Sequence, residues 1–302
     1  MKTWEYTKVK GSSVKIDNWM SDAMGVVEGG CIYSTLFRHP EEGPKEYEIM
    51  ISMFPQENYR TLTHITMYLD DVPGSSAQAS AFLSEKEINI LNSISLNGIS
   101  DTVIVWKLMA DLNFAGEAEM LMESFEALKS ENDPSVSKIR GIVIKPAEVG
   151  RLFKGGLSSN GKEEVRRGYP STLKGGCFDL AELYGDILGD CDGRNVLLTM
   201  DADSWIMSIT LFKPETRLVK VGMEIPDCPG GITQALNVIA GWNVNLISVF
   251  SKVKICYQTM YLELVMDIGK SGKSAEEIKG LLPKAMDSLN GVFSLVEFSE
   301  LR

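Results

Sequence analysis

Residues 66–95 read TMYLDDVPGSSAQASAFLSEKEINILNSIS, and residues 222–251 read GMEIPDCPGGITQALNVIAGWNVNLISVFS. Sliding the chain against itself by 156 residues lays Thr66–Asp111 on Gly222–Asp267 without a gap. Eleven of the 46 positions are identical, among them Asp71/Asp227, Pro73/Pro229, Gly74/Gly230, Gln78/Gln234 and Asn89/Asn245. Residue frequencies alone would give roughly three, so an internal duplication is the expected origin.

Both copies carry the same local signals. An apolar strand (His64–Leu69; Lys220–Ile225) runs into a D-x-P-G turn and a helix, marked in the second copy by Ile232, Leu236 and Ile239. A strand follows (Ile88–Ser95; Val244–Ser251), then a third, Val103–Asp111 or Thr259–Asp267, rich in β-branched and apolar residues as a covered central strand is. A second helix (Glu117–Lys129; Ser274–Leu289) and a closing strand (Lys138–Lys145; Val292–Phe298) complete each copy. The order βαββαβ predicts an α+β protein with two ferredoxin-like units.

Ahead of each copy lies a related β-rich region. Ser13–Gly30 and Gly176–Gly193 each suggest a short helix, followed by strand pairs at Cys31–Phe37 and Tyr47–Phe54, or Asn195–Met200 and Trp205–Phe212. The expected parse is a small β-rich domain over 1–60 and a βαββαβ domain over 61–146. A linker with a second β-rich domain over 147–217 and a second βαββαβ domain over 218–302 follow. The joint near Ala147–Gly168, rich in Gly, Ser and charge, reads as a surface loop or linker.

In Asp71-Val72-Pro73-Gly74-Ser75 and Asp227-Cys228-Pro229-Gly230-Gly231 a strand becomes a helix within a few residues. Proline suits the first turn because its missing N–H is not needed there, and glycine lets a ligand approach unpaired helix amides. A carboxylate could dock on those amides while Asp71 or Asp227 holds an ammonium group; each Asp also serves equally well as a plain turn former. Asn89 and Asn245, at the start of the next strand, add a donor and an acceptor, expected near the same mouth.

On these residues the two copies resemble ACT domains, amino-acid-sensing modules of regulated enzymes. The resemblance rests on D-V-P-G-S with E-I-N-I-L and on D-C-P-G-G with N-V-N-L-I. It implies that the first loop and the asparagine of the second strand form a pocket, commonly across an interface between two ACT domains. The implied ligand contacts are Asp71, Val72, Gly74, Ser75 and Asn89, with Asp227, Cys228, Gly230, Gly231 and Asn245. Some amino-acid-binding members carry a histidine just before the loop, where this chain has Leu69 and Ile225. The implied partners are a small amino acid or carboxylate, a regulated protein and a second copy of the chain.

Ile187-Leu188-Gly189-Asp190-Cys191-Asp192-Gly193 with the strands after it is similar to AbrB-type swapped-hairpin barrels, in which two halves interlock and can bind DNA. Arg151–Lys174 adds six basic residues (Arg151, Lys154, Lys162, Arg166, Arg167, Lys174) against two acids. A ligand-responsive DNA-binding regulator is therefore the alternative reading, set against a plain solvated loop.

The whole chain argues against nucleic acid and anionic membrane. Its 302 residues carry a net charge of −11, a field that repels both. The apolar stretch Cys228–Ser251 is broken by Pro229, Gly230, Gly231 and several amides, so it reads as a helix and a strand. MKTWEYTKVKG lacks the apolar run of a signal peptide, which makes the cytoplasm the expected compartment. Five cysteines without a C-x-x-C spacing read as reduced thiols. Gly156–Lys162 imitates a phosphate-binding loop but has Glu163 where Ser or Thr would hold magnesium, and Asp267–Ser274 lacks the first glycine. Only His39 and His64 are present, and no G-x-S-x-G, H-E-x-x-H or G-x-G-x-x-G motif occurs. The expectation is a regulatory protein without catalytic residues, metal or cofactor.

Overall fold

The protein is described by a computed structural model, which covers residues 2–26, 28–55, 61–97, 102–116, 118–147, 161–168, 170–202, 205–286 and 293–301. The first elements are β1 (Lys2–Lys8), β2 (Ser13–Lys15), α1 (Asn18–Ala23), β3 (Cys31–Arg38) and β4 (Lys45–Ser52). Next come β5 (Leu62–Asp70), α2 (Ser75–Glu85), β6 (Asn89–Asn97), β7 (Val103–Asp111), α3 (Ala118–Ser130) and β8 (Ile139–Pro146). The second half opens with β9 (Glu163–Arg167), β10 (Ser171–Thr172), β11 (Cys177–Asp179), α4 (Leu180–Leu188), β12 (Asn195–Asp201) and β13 (Ile206–Phe212). It ends with β14 (Leu218–Pro226), α5 (Gly231–Ala240), β15 (Asn245–Ile255), β16 (Thr259–Asp267), α6 (Ala275–Met286) and β17 (Ser294–Leu301). The result is a mixed α+β protein whose named sheets pair antiparallel.

Two four-stranded sheets have the same order, β6-β7-β5-β8 and β15-β16-β14-β17. In the first, Ile65, Met67 and Leu69 alternate with His64, Thr66 and Tyr68, as period-2 side chains must. The apolar set is buried under Phe82 and Leu83 of α2 and Leu121 and Phe125 of α3. The Phe82 and Phe125 rings meet edge to face at 5.9 Å. The second sheet buries Val219, Val221, Met223 and Ile225 beneath Ala235, Ile239, Ile278 and Leu282 in the same manner. Helix α6 starts where Ser274 and Glu277 cap each other: the Ser274 amide donates to Glu277 at 2.7 Å, and the Glu277 amide to Ser274 Oγ at 3.2 Å.

The two β-rich regions, expected as separate small domains, share a single sheet. Hairpin β3-β4 of the first half joins hairpin β12-β13 of the second through β4 and β13, with Ile49 opposite Ile209. Each half also lends its leading strand to the other: β1 pairs with β12, and β9 with β3. One core spans both, from Val9, Val14, Leu36 and Ile49 to Phe178, Tyr184, Leu198 and Ile209. Strand β9 corrects the linker reading for Glu163–Arg167. It carries one apolar residue, the half-buried Val165, too few for a periodic signal. Residues 148–160 of that joint, most of the Gly156–Lys162 near-motif, and Glu117 lie outside the described residues. Strands β1, β2, β10 and β11 likewise left no signal, because their pairing partners lie far along the chain.

The central sheet meets both flanking units. Leu62, Leu91 and Ala147 of the first pack with Ile206, Met50 and Phe54; Leu218, Ile247 and Leu301 of the second pack with Leu197, Phe212, Trp4 and Tyr6. Among the described residues no helix is long and apolar enough to cross a membrane.

Candidate functional site

The two D-x-P-G corners have the same backbone. Gly74 (φ 89°, ψ −2°) and Gly230 (φ 87°, ψ −7°) stand as left-handed caps before α2 and α5, a conformation glycine adopts without a Cβ penalty. The first helical amide turns back inside each corner: Ser75 N donates to Val72 O at 3.3 Å, and Gly231 N to Cys228 O at 3.0 Å. Intrahelical bonding begins with Gln78 N to Gly74 O and Gln234 N to Gly230 O, both 2.9 Å. The amides in between, of Ser76, Ala77, Ile232 and Thr233, have no backbone partner among the described residues. Each corner thus offers two donors at a helix N-terminus, where an anion is favoured.

The surroundings differ. A Cβ on Gly230 would have nothing within 4 Å, whereas one on Gly231 would lie 2.6 Å from Pro226 O, so that position admits only glycine. At the first corner, Lys138 Nζ donates to Pro73 O at 2.8 Å and would stand 3.1 Å from a Cβ on Gly74. Arg140 donates to Asp70 Oδ1 at 2.5 Å and to Thr102 O at 3.0 Å. These two cations were not expected at the site. They enter from the start of β8, more than 60 residues along, and no spacing pattern links them to the turn. Ser75 is buried, and its hydroxyl donates to Val72 O at 3.0 Å. Asp71, Val72, Gly74, Cys228 and Gly230 are exposed.

Asp227 is not free to hold a ligand's ammonium alone. Its Oδ2 accepts the backbone N–H of Tyr257 at 2.7 Å, and its own amide donates to Gln258 O at 3.1 Å. The second corner is thereby tied to the β15-β16 hairpin.

The expected shared mouth does not exist within one unit. Asn89 opens β6 opposite Asp111, and Asp111 lies opposite Leu62, at the start of β5. The turn begins at the other end of β5, where Asp70 lies opposite Val103. Nine strand residues separate the two ends, about 25 Å at the usual rise. Asn245 is placed the same way, opposite Asp267 and Leu218, away from Asp227. The reason is directional: the helix carries the chain back down the sheet, so the next strand starts at the bottom.

The basic segment of the DNA reading is neutralised where it is described. Arg166 holds Asp186 through two 2.7 Å bonds, Arg167 holds Glu164 at 2.8 Å, and Lys174 holds Glu182 at 3.0 Å. Lys162 pairs with Glu48. Arg151 and Lys154 lie outside the described residues. The second phosphate-loop look-alike is a structural turn: Gly269 N and Arg217 N donate to Asp267 Oδ1 at 2.9 and 3.3 Å. Among the described residues no group of three or more His, Cys, Asp or Glu side chains could hold a metal ion.

No family model and no curated protein matches the chain. Solved structures similar to it include a protein of unknown function from Galdieria sulphuraria, at 11% identity over 80% of this chain and 98% of that one (TM-score 0.25). The acetolactate synthase small subunit from Thermotoga maritima matches at 8% identity over 79% and 92% (TM-score 0.21). The regulatory subunit of aspartate kinase from Thermus thermophilus matches at 9% over 76% and 93% (TM-score 0.22). TM-scores this low do not establish a shared fold.

Proposed function

We propose that the chain is a regulatory small-molecule sensor whose two flanking units are duplicated ferredoxin-like, ACT-like domains that bind an amino acid or a similar carboxylate. The observation that carries this reading is the recurrence, at both corners, of a left-handed glycine followed by two helix amides without a backbone partner among the described residues. Together these donors supply charge-assisted bonds worth roughly 1.5–3 kcal/mol each to a carboxylate.

Because turn and asparagine stand at opposite ends of the sheet in each unit, this reading puts the binding site between two copies of the chain. β15 is an edge strand with exposed Val249 (46%), Phe250 (41%), Val253 (48%) and Ile255 (49%), and such an edge invites pairing. Antiparallel pairing of β15 with its counterpart in a second copy lays Asn245 of one beside Ile255 of the other. That is the end where Tyr257 and Gln258 hold Asp227. The corner of one copy and the asparagine of the other then share a mouth. The partners are accordingly an amino acid or carboxylate, a second copy of the chain, and a protein regulated by the complex. A coupling of about 1–3 kcal/mol between ligand and partner suffices for regulation.

Titration calorimetry with each of the twenty amino acids tests the reading. At least one should bind saturably to the wild type and about tenfold more weakly (1.4 kcal/mol) to Asn245→Ala or Asp227→Ala. Saturable heat from none of them overturns it.

A further inference from the structure

The open face of the first unit's sheet, opposite its helices, does not lie flat against solvent. It faces Ala202 and Trp205 of the central sheet region across a cleft of about 720 Å³, open to solvent, within the range of small-molecule sites. Across the sheet floor run two rows set by strand register. Lys145, His64, Met109 and Asn92 form one, and Val143, Thr66, Lys107 and Ile94 the other. Lys107 and Lys145 stand two strands apart, about 10 Å laterally, and both line the cleft together with His64. None of these three side chains has a hydrogen bond or ion pair among the described residues. In a chain of net charge −11, two lysines and a histidine facing one opening without a carboxylate partner are an unanswered demand for negative charge.

The second unit shows what the same sheet face looks like when that demand is met internally. At the positions of His64, Thr66 and Lys107 it has Lys220, Gly222 and Glu263. Lys220 is held by Glu263 at 3.2 Å and by Glu297 at 3.0 Å, and it lies 5.7 Å from the centre of the Trp4 ring. The Tyr261 ring covers Gly222 and donates its hydroxyl to Glu263 at 3.1 Å. Charge and space are both filled by the chain itself. In the first unit the glycine, the tyrosine and both glutamates are replaced by Thr66, Val105, Lys107 and Val143, and the space stays open.

The far wall is apolar. Trp205 is 7% exposed and stacks on Phe54 at 5.6 Å between ring centres. Its backbone sits at φ 55°, a left-handed conformation that a bulky residue adopts only where the surrounding structure enforces it. Ile94, Met109 and Pro146 continue the apolar lining.

We infer that this cleft is a second binding site, distinct from the D-x-P-G corners, for a small organic anion whose carboxylates meet Lys107 and Lys145 and whose apolar body lies against Trp205. It does not depend on the corner site, and the two are tested by different variants.

The test uses the full chain and titration calorimetry with three probes, isophthalate, benzoate and inorganic phosphate, in buffer free of other polyvalent anions. Isophthalate should bind saturably, at least about tenfold more tightly than benzoate or phosphate, and about tenfold more weakly (1.4 kcal/mol) to Lys107→Gln and to Lys145→Gln. Both lysines are exposed, so the variants should keep the wild-type unfolding midpoint without ligand. Asp71→Ala should leave isophthalate binding unchanged. No saturable isophthalate binding, equal binding by the lysine variants, or phosphate binding as tightly as isophthalate each overturns the assignment.

Discussion

Glu48 on β4 is a buried carboxylate whose partners come from both halves of the chain. Its Oε2 lies 3.0 Å from His39 Nε2 and accepts from Lys162 Nζ. Burial alone would raise its pKa, but the His39 bond and the Lys162 charge outweigh burial and hold it at about 2, against an ordinary 4.5. The nearby Lys45 ammonium is pushed below its usual value by burial. Because the folded value of Glu48 lies below the unfolded one, its stabilisation is complete above pH 4.5 and is lost as pH falls toward 2. The shift corresponds to on the order of 3 kcal/mol. Urea unfolding between pH 6 and pH 2.5 should therefore show a stability loss that is smaller by about that amount in Glu48→Gln. An identical pH profile in the variant would refute the assignment.

The β15 edge is the element on which an intermolecular site depends. Eight of its eleven residues are exposed, among them the apolar Val249, Phe250, Val253 and Ile255, whereas the apolar residues of β14 lie between two neighbouring strands and under helices. The edge already carries Lys252 and Lys254, and a further lysine among its apolar residues opposes strand addition more strongly. If β15 pairs with a second copy as proposed, the wild type should sediment as a dimer and Val253→Lys as a monomer with unchanged far-ultraviolet circular dichroism. A wild type that is monomeric at tens of micromolar, or a Val253→Lys dimer as stable as the wild type's, would remove the edge-pairing basis of the corner site. The β6 edge of the first unit is the other candidate for such pairing by position, with Ile94 exposed. Its face also floors the lysine-lined cleft.

At the scale of the whole molecule, the halves are not independent. Each completes the other's hairpin sheet through β1-β12, β9-β3 and β4-β13, and one core crosses the joint. Arg194 adds a further tie, donating to Glu46 of the first half at 2.5 Å and to Phe212 O at 2.8 Å. Residues 1–146 and 147–302 expressed separately should each lack a cooperative transition for the central sheet, because edges and core would be left open. Mixing the refolded fragments should restore it. Two fragments that each unfold cooperatively at the intact protein's midpoint would contradict a shared core. Both flanking units rest on this one body.

Much was legible in the chain itself. The strands β7 and β16 fall on the expected residues, and the helices after the corners start directly after Gly74 and Gly230, because period, turn chemistry and caps act over a few residues. The corner glycines were readable for the same reason. The placement of Asn89 and Asn245 was not: proximity in sequence to the turn says nothing about which end of a sheet a strand starts from, and that is decided by the returning helix. The sequence by itself determined two matched sets of local elements and an acidic surface. Only the tertiary structure decided that the β-rich halves merge, that each corner lies a strand length from its asparagine, and that Lys107 and Lys145 face one cleft. Those outcomes depend on pairings between residues more than a hundred positions apart, or on which strands become neighbours, and no short-range pattern carries that information.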